Sequence, residues 1–158
     1  MEYDKIVKSS MIEEYSRQIV GWKYEDEYDV YNYPSYEECI EKDYSITRRD
    51  RWDNYIVYSI DGEVIFYVYM IIMNNNKVYV GFSLKPDYCS KGLGNYFLKD
   101  CVIEIKNRYP DLVLFVEVRS WNNRAIKAVK KIGFKIKDTV LLMDRFGDEL
   151  EYIEMEID

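Results

Sequence analysis

Between residues 55 and 84 the chain alternates long apolar runs with two short polar breaks. Tyr55–Ile60 (YIVYSI), Glu63–Met73 (EVIFYVYMIIM) and Lys77–Leu84 (KVYVGFSL) are rich in β-branched and aromatic residues, the composition of strands. The first break is Asp61-Gly62, a strong two-residue hairpin signal, and the second is Asn74-Asn75-Asn76. The middle of the chain therefore reads as an antiparallel meander. Upstream the signal changes. Ser10-Met11-Ile12-Glu13 and Ser35-Tyr36-Glu37-Glu38 both have the spacing of a capping box, so each is expected to open a helix. The first helix should run to about Trp22, with Met11, Tyr15, Ile19 and Trp22 on one stripe, and the second should end near Asp43. Residues 22–34 between them are aromatic and acidic and have no helical period.

Downstream, helix and strand patterns alternate. Residues 95–108 place Phe97, Leu98, Cys101, Val102 and Ile105 on one helical face, and Pro110 stops the run. Residues 112–118 (LVLFVEV) form a buried type of strand. Residues 123–132 are a basic helix with Gly133 as its C-terminal cap. Two last strands, at about 135–143 and 151–157, flank a polar turn. With no repeat, linker or low-complexity segment, residues 1–158 read as a single domain of mixed α/β order.

Composition narrows the class. At 158 residues, 48% apolar and 32% charged, the chain is long enough for a proper core and too apolar to be disordered. Its longest apolar run, Val64–Met73, is too short to span a bilayer, and the N-terminus lacks a signal-peptide pattern, so no membrane association is expected. Three cysteines with no C-x-x-C pair, and no histidine, imply reduced thiols, a cytoplasmic location, no metal site and no histidine base. Charge is segregated: residues 1–84 carry net −7, residues 85–137 net +7, and residues 138–158 net −7. The basic third of an acidic protein is a candidate anion site.

Inside that third lies PDYCSKGLGNYF, residues 86–97, with Gly92 and Gly94 placed between a strand and a helix. A loop at a helix start presents unpaired backbone N–H groups at the positive end of the helix dipole. Glycines there let an anion approach the backbone, which is the physics of phosphate binding. No Gly-Lys-Ser/Thr follows, so this is not a Walker loop, and no third glycine completes a dinucleotide fingerprint.

The wider pattern, strand–PDYxxKGLG–helix–strand–NxRAIxxxxKxGF, closely resembles the GNAT superfamily of acetyl-CoA-dependent N-acetyltransferases. The family loop Q/R-x-x-G-x-G/A corresponds to Cys89, Ser90, Lys91, Gly92, Leu93 and Gly94, followed by Asn95. The later helix matches at Asn122, Arg124, Ala125, Ile126, Lys131, Gly133 and Phe134, so the match is specific over about residues 78–135. The resemblance implies a three-layer fold: a mixed, mostly antiparallel sheet of about seven strands with helices on both faces. It also implies that the loop amides bind the diphosphate of coenzyme A. Pantetheine would pair with the backbone of Phe82, Ser83 and Leu84 where two strands splay apart, with Asn122 near its thiol arm. The acetyl donor is then acetyl-CoA, and the reaction is transfer to a primary amine, either a small molecule or a protein N-terminus. A basic third explained by a phosphorylated cofactor, with repulsive net charge, leaves no nucleic-acid partner, and nothing in the sequence prevents a homodimer.

Two positions depart from the family. Cys89 replaces Gln or Arg, and Val129 stands where family members often place a tyrosine general acid. The segment VEVRSWN, residues 116–122, resembles the E-V-R-x-x-N segment of ribosomal-protein N-terminal acetyltransferases, which implies Glu117 as general base through water. Independently, a carboxylate inside an otherwise apolar strand needs a reason, and the alternatives are solvent exposure or pairing with Arg119 or a neighbouring strand. By the same resemblance, Trp22, Tyr24, Glu25, Tyr28 and Tyr31 would wall the acceptor cleft, since acids with aromatic faces suit an ammonium group. A non-catalytic acyl-CoA-binding or sensing domain is the alternative reading.

Overall fold

The computed structural model describes residues 3–89, 91–144 and 146–158. Seven strands form one sheet in the order β1-β2-β3-β4-β5-β7-β6. They are β1 (Val7–Ser9), β2 (Tyr55–Ile60), β3 (Glu63–Ile72), β4 (Lys77–Leu84), β5 (Val113–Arg119), β6 (Lys135–Met143) and β7 (Glu149–Ile157). The α-helices are α1 (Glu13–Val20), α2 (Tyr36–Glu41), α3 (Leu93–Arg108) and α4 (Asn123–Ile132). The β1/β2, β2/β3, β5/β7 and β6/β7 pairs are antiparallel and β4/β5 is parallel, giving the mixed, mostly antiparallel α/β sheet that the sequence implied. The chain packs as two compact units, Met1–Tyr69 with Phe82–Leu93, and Met70–Gly81 with Gly94–Asp158.

The first unit is built around Ile19, Trp22, Ile46, Trp52, Val57 and Tyr67, all buried. The Asp61-Gly62 hairpin forms as expected, with both residues at positive φ (51° and 81°). Gln18 clamps it, donating to the Gly62 carbonyl at 2.8 Å and accepting from the Val64 amide at 2.9 Å. At α2 the capping box holds: Ser35 Oγ accepts from the Glu38 amide at 3.2 Å. At α1 it does not. The helix begins at Glu13, and Ile12 occupies the cap position without a side-chain bond. Met11 explains the shift. Its amide bonds the Trp52 carbonyl at 3.4 Å and its side chain is buried, so the chain is tied into the core before the helix starts. The acidic-aromatic segment contains a 3-10 helix, Asp26–Tyr31, where no helical period was legible.

In the second unit, α3 buries the five residues its periodicity selected. It starts at Leu93, two residues earlier than the sequence indicated, so Gly94 lies within its first turn. Strand alternation divides β5 into two faces. Leu114, Val116 and Val118 oppose Ile157, Met155 and Ile153 of β7. The C-terminal end of α4 meets this face, since a Cβ on Gly133 would lie 3.2 Å from Ile157. The other face carries Phe115, Glu117 and Arg119, opposed by Glu156, Glu154 and Tyr152. The parallel ladder of β4 with β5 runs from Lys77↔Val113 to Tyr79↔Phe115, while both strands continue, to Leu84 and Arg119.

Candidate functional site

Gly92 has φ +78°, a conformation that L side chains rarely adopt, and nothing lies within 4 Å of where its Cβ would be. The glycine is therefore demanded by the backbone, and the space beside it is open. Leu93 begins a sixteen-residue helix, so the first N–H groups of α3 emerge from this loop. Lys91 is exposed, with its Nζ 5.8 Å from the centre of the Tyr88 ring. The Cys89 thiol donates to the carbonyls of Leu84 and Lys85, both at 3.7 Å, which gives it a structural role in the loop. Ser90 lies outside the described residues. Asn95, in the first turn of α3, has a buried Oδ1 with no hydrogen-bond partner among the described residues. An orphaned buried polar atom beside a helix start is satisfied when a polar ligand or water occupies the loop. The Asn95 oxygen is an acceptor and calls for a donor such as water, while backbone conformation and open space fit the loop to a phosphorylated ligand.

Phe82, Ser83 and Leu84 form the half-buried end of β4. Tyr24 reaches this end directly: its hydroxyl donates to the Leu84 carbonyl at 2.7 Å. Asn32, which sequence reasoning missed, fixes Tyr24 by accepting from its amide at 2.7 Å and donating to its carbonyl at 3.2 Å. Tyr31 meets Tyr24 edge-on at 6.3 Å. Tyr28 is half-buried and Glu25 exposed on the same segment. Trp22 differs from these: it is buried in the core, 5.8 Å from the Tyr67 ring. The expected wall residues thus divide into a core residue, Trp22, and a cluster on and beside the 3-10 helix.

In the second unit Glu117 is half-buried on β5, and no hydrogen bond or ion pair to its carboxylate occurs among the described residues. Burial, and then the charge of Glu154 directly opposite, hold its carboxyl above the usual carboxylate range. Arg119, the partner that the sequence offered, is committed elsewhere, 3.4 Å from Asp144. Asn122 is buried and its Oδ1 caps α4, accepting from the Ala125 amide at 3.1 Å. Arg124 is exposed in the first turn, and Val129 is fully buried. Asn122→Ala is expected to cost about 0.5–2 kcal/mol of stability through loss of the cap; urea unfolding measures it, and an unchanged midpoint refutes the capping role. Lys77, Glu154 and Glu156, also missed, share the Glu117 face. The alternation of glutamate with apolar residues at Glu154-x-Glu156 in β7 was the available signal.

A family model described as the acetyltransferase (GNAT) family matches residues 13–134. The chain belongs to the GNAT acetyltransferase family. Solved structures agree at the level of fold. The ribosomal-protein-S18-alanine N-acetyltransferase of Escherichia coli is 18% identical, with TM-score 0.67 over 96% of this chain and 92% of that one. A spermidine N-acetyltransferase chimera of Vibrio cholerae SpeG and hSSAT gives 18% identity and TM-score 0.73 over 97% and 95%. The putative acetyltransferase yncA of Salmonella typhimurium, solved with its cofactor acetyl-CoA, gives 17% identity and TM-score 0.62 over 97% and 93%. No curated protein sequence matches the chain. For this GNAT chain no helix among the described residues is long and apolar enough to cross a membrane.

Proposed function

We propose that this GNAT protein transfers acetyl from acetyl-CoA to a primary amine by direct attack of the amine on the thioester. The observation that carries the reading is Glu117, a half-buried carboxylate inside an otherwise apolar strand, with no cation bound among the described residues and its proton affinity raised. A carboxylate whose proton affinity is raised is a better proton acceptor than an ordinary one. Glu117 takes a proton from the acceptor ammonium through water, which frees the amine lone pair to form the N–C bond as the C–S bond breaks and the thiolate leaves. Backbone amides near Phe82 stabilise the oxygen that gains charge. Bound acetyl-CoA supplies the thioester and a leaving thiolate, whose conjugate thiol is about as acidic as cysteine, roughly 8.5. That stability lets the reaction proceed without an acid at Val129. Gly92 and the start of α3 hold the phosphates of the donor, and the exposed Arg124 adds a cation.

Tyr24, Tyr28, Tyr31 and Glu25 form the acceptor wall, with Trp22 supporting it from the core. Similar structures carry names that include ribosomal-protein-S18-alanine and spermidine. The acceptor of this chain is drawn from the same amine class, small or protein-borne. A panel of such amines, assayed for thiol release from acetyl-CoA, tests the reading. Turnover of at least one amine supports it. Binding of acetyl-CoA without any turnover would instead support a non-catalytic acyl-CoA-binding domain, the reading favoured by valine at position 129.

Lys91 contributes one exposed cation to a site built from amides. Charge at a helix terminus is worth about 0.3–1 kcal/mol, so Lys91→Ala should weaken acetyl-CoA binding only a few-fold by calorimetry. A loss above about a hundredfold, some 2.7 kcal/mol, would show that the affinity comes from the side chain instead.

A further inference from the structure

We propose that Glu154 and Lys77 are positioning residues that set the pH at which Glu117 accepts a proton, Glu154 by opposing it across the β5/β7 ladder and Lys77 by moderating Glu154. The inference rests on Glu117 being the base and goes beyond it by naming what tunes that base.

The geometry comes from strand register. Glu117 and Glu154 are direct partners in an antiparallel pair, so both project from the same face. Directly opposed Cβ atoms lie about 4.5–5.5 Å apart, and like charges placed there repel. Glu156 lies two residues along the same face, opposite Phe115. Lys77 enters the face from β4. Its Nζ lies 2.9 Å from Glu156 and 3.6 Å from Glu154, with side-chain exposures of 25%, 13% and 22% for Lys77, Glu156 and Glu154. At these exposures the charges are only partly screened.

Glu117, Glu154 and Glu156 thus share the face, and Lys77 serves the last two. Arg119 follows Glu117 on the same side of β5 but holds Asp144, both side chains being largely buried at 11% and 6% exposure. Among the described residues, the remaining groups on the face in this unit do not supply a cation to Glu117. Tyr79 of β4 opposes Phe115, Tyr152 of β7 opposes Arg119, and from β6 Asp138 opposes Glu154 and the exposed Lys135 opposes Glu156. The arrangement sets Lys77 beside Glu154 and Glu156, where its positive charge offsets part of the negative field that Glu154 exerts on Glu117. A carboxylate with a neighbouring negative charge ionises at higher pH, which moves a carboxyl group toward the range of a working base.

The test combines pH–rate profiles with a titration that does not depend on catalysis. Full-length wild type, Glu154→Gln, Glu154→Asp and Lys77→Met are compared by the acid limb of kcat/KM and by carbon-13 carboxyl NMR of Glu117. Glu154→Gln should move both the limb and the Glu117 titration down by about half to one pH unit, the size expected for one charge at this distance in a partly screened site. Glu154→Asp, which keeps the charge, should restore most of the wild-type position. Lys77→Met should move both up. A merely structural role for Glu154 would lower turnover at every pH and leave the limb in place. An unmoved Glu117 titration in Glu154→Gln overturns the inference, and the glutamate variants decide it even if Lys77→Met does not fold. If the NMR titration moves while the acid limb stays, the tuning is real and the assignment of Glu117 as base is the part that fails.

Discussion

Gly92→Glu abolishes the thermal stabilisation that acetyl-CoA confers on wild-type protein. A ligand at a hundred times its Kd stabilises by about 2.7 kcal/mol, which for a chain of this size is roughly 5–10 °C in Tm. The substitution acts twice on the proposed phosphate loop. Its side chain enters the space beside Gly92, where nothing now lies within 4 Å, and its charge repels phosphate at the start of α3. Backbone strain is a separate consequence, because φ is +78° and a side chain there costs about 1–2 kcal/mol. Gly92→Asn separates the two effects, since asparagine enters the left-handed region far more readily than glutamate. Both variants should melt below wild type without ligand, but only Gly92→Asn should still respond to acetyl-CoA. A full ligand shift in folded Gly92→Glu removes the loop from the binding site.

Glu117→Gln lowers kcat by about 10²–10⁴-fold, the usual contribution of general acid–base catalysis, and leaves acetyl-CoA affinity unchanged. The loss shrinks as pH rises, because more of the acceptor amine is already neutral. A rate and profile matching wild type would exclude Glu117 as base. The same variant should be more stable than wild type at neutral pH. Glu117 has a folded-state pKa above its unfolded value. Below the unfolded value both states are protonated and the group contributes nothing. As pH rises past that value the unfolded chain releases the proton first, so the folded state binds more protons and stability falls until Glu117 itself ionises. Glutamine lacks this penalty. The Tm advantage of Glu117→Gln should therefore be absent in acid and present at pH 7–8, and melting curves across that range measure it. Gaining stability while losing activity is the signature of a strained functional group.

Much of the fold was legible because its signals are local. The Asp61-Gly62 hairpin, α2 with its Ser35 cap, α4 from Asn123 to Ile132 and the closing glycine at 133 all formed where the pattern put them. Each depends on the conformational preference or hydrogen-bonding reach of residues a few positions apart. The family motif was legible for the same reason, since the loop and helix it describes are contiguous in the chain. The elements that were missed or shifted depend on distant residues. β1 is three residues long and exists through pairing with β2. The start of α1 moved because Met11 is held by Trp52, forty-one positions away by the numbering, in a core that no helical window contains.

At the site the division is similar. Sequence alone identified the glycines, the family and the anomalous Glu117, because backbone conformation and the cost of a carboxylate in an apolar strand are properties of residue type. Tertiary structure decided what those residues face. It placed Trp22 in the core and Tyr24 on the Leu84 carbonyl, and gave the Asn122 oxygen to the first turn of α4. It turned Arg119 to Asp144 and brought Glu154, with Lys77 behind it, beside Glu117. Strand pairing is a long-range choice of register, and a shift of one residue would send Glu154 to the opposite face. The sequence therefore determines that Glu117 is unusual; tertiary burial raises its proton affinity first, and the register of β7 decides which charge adds to that.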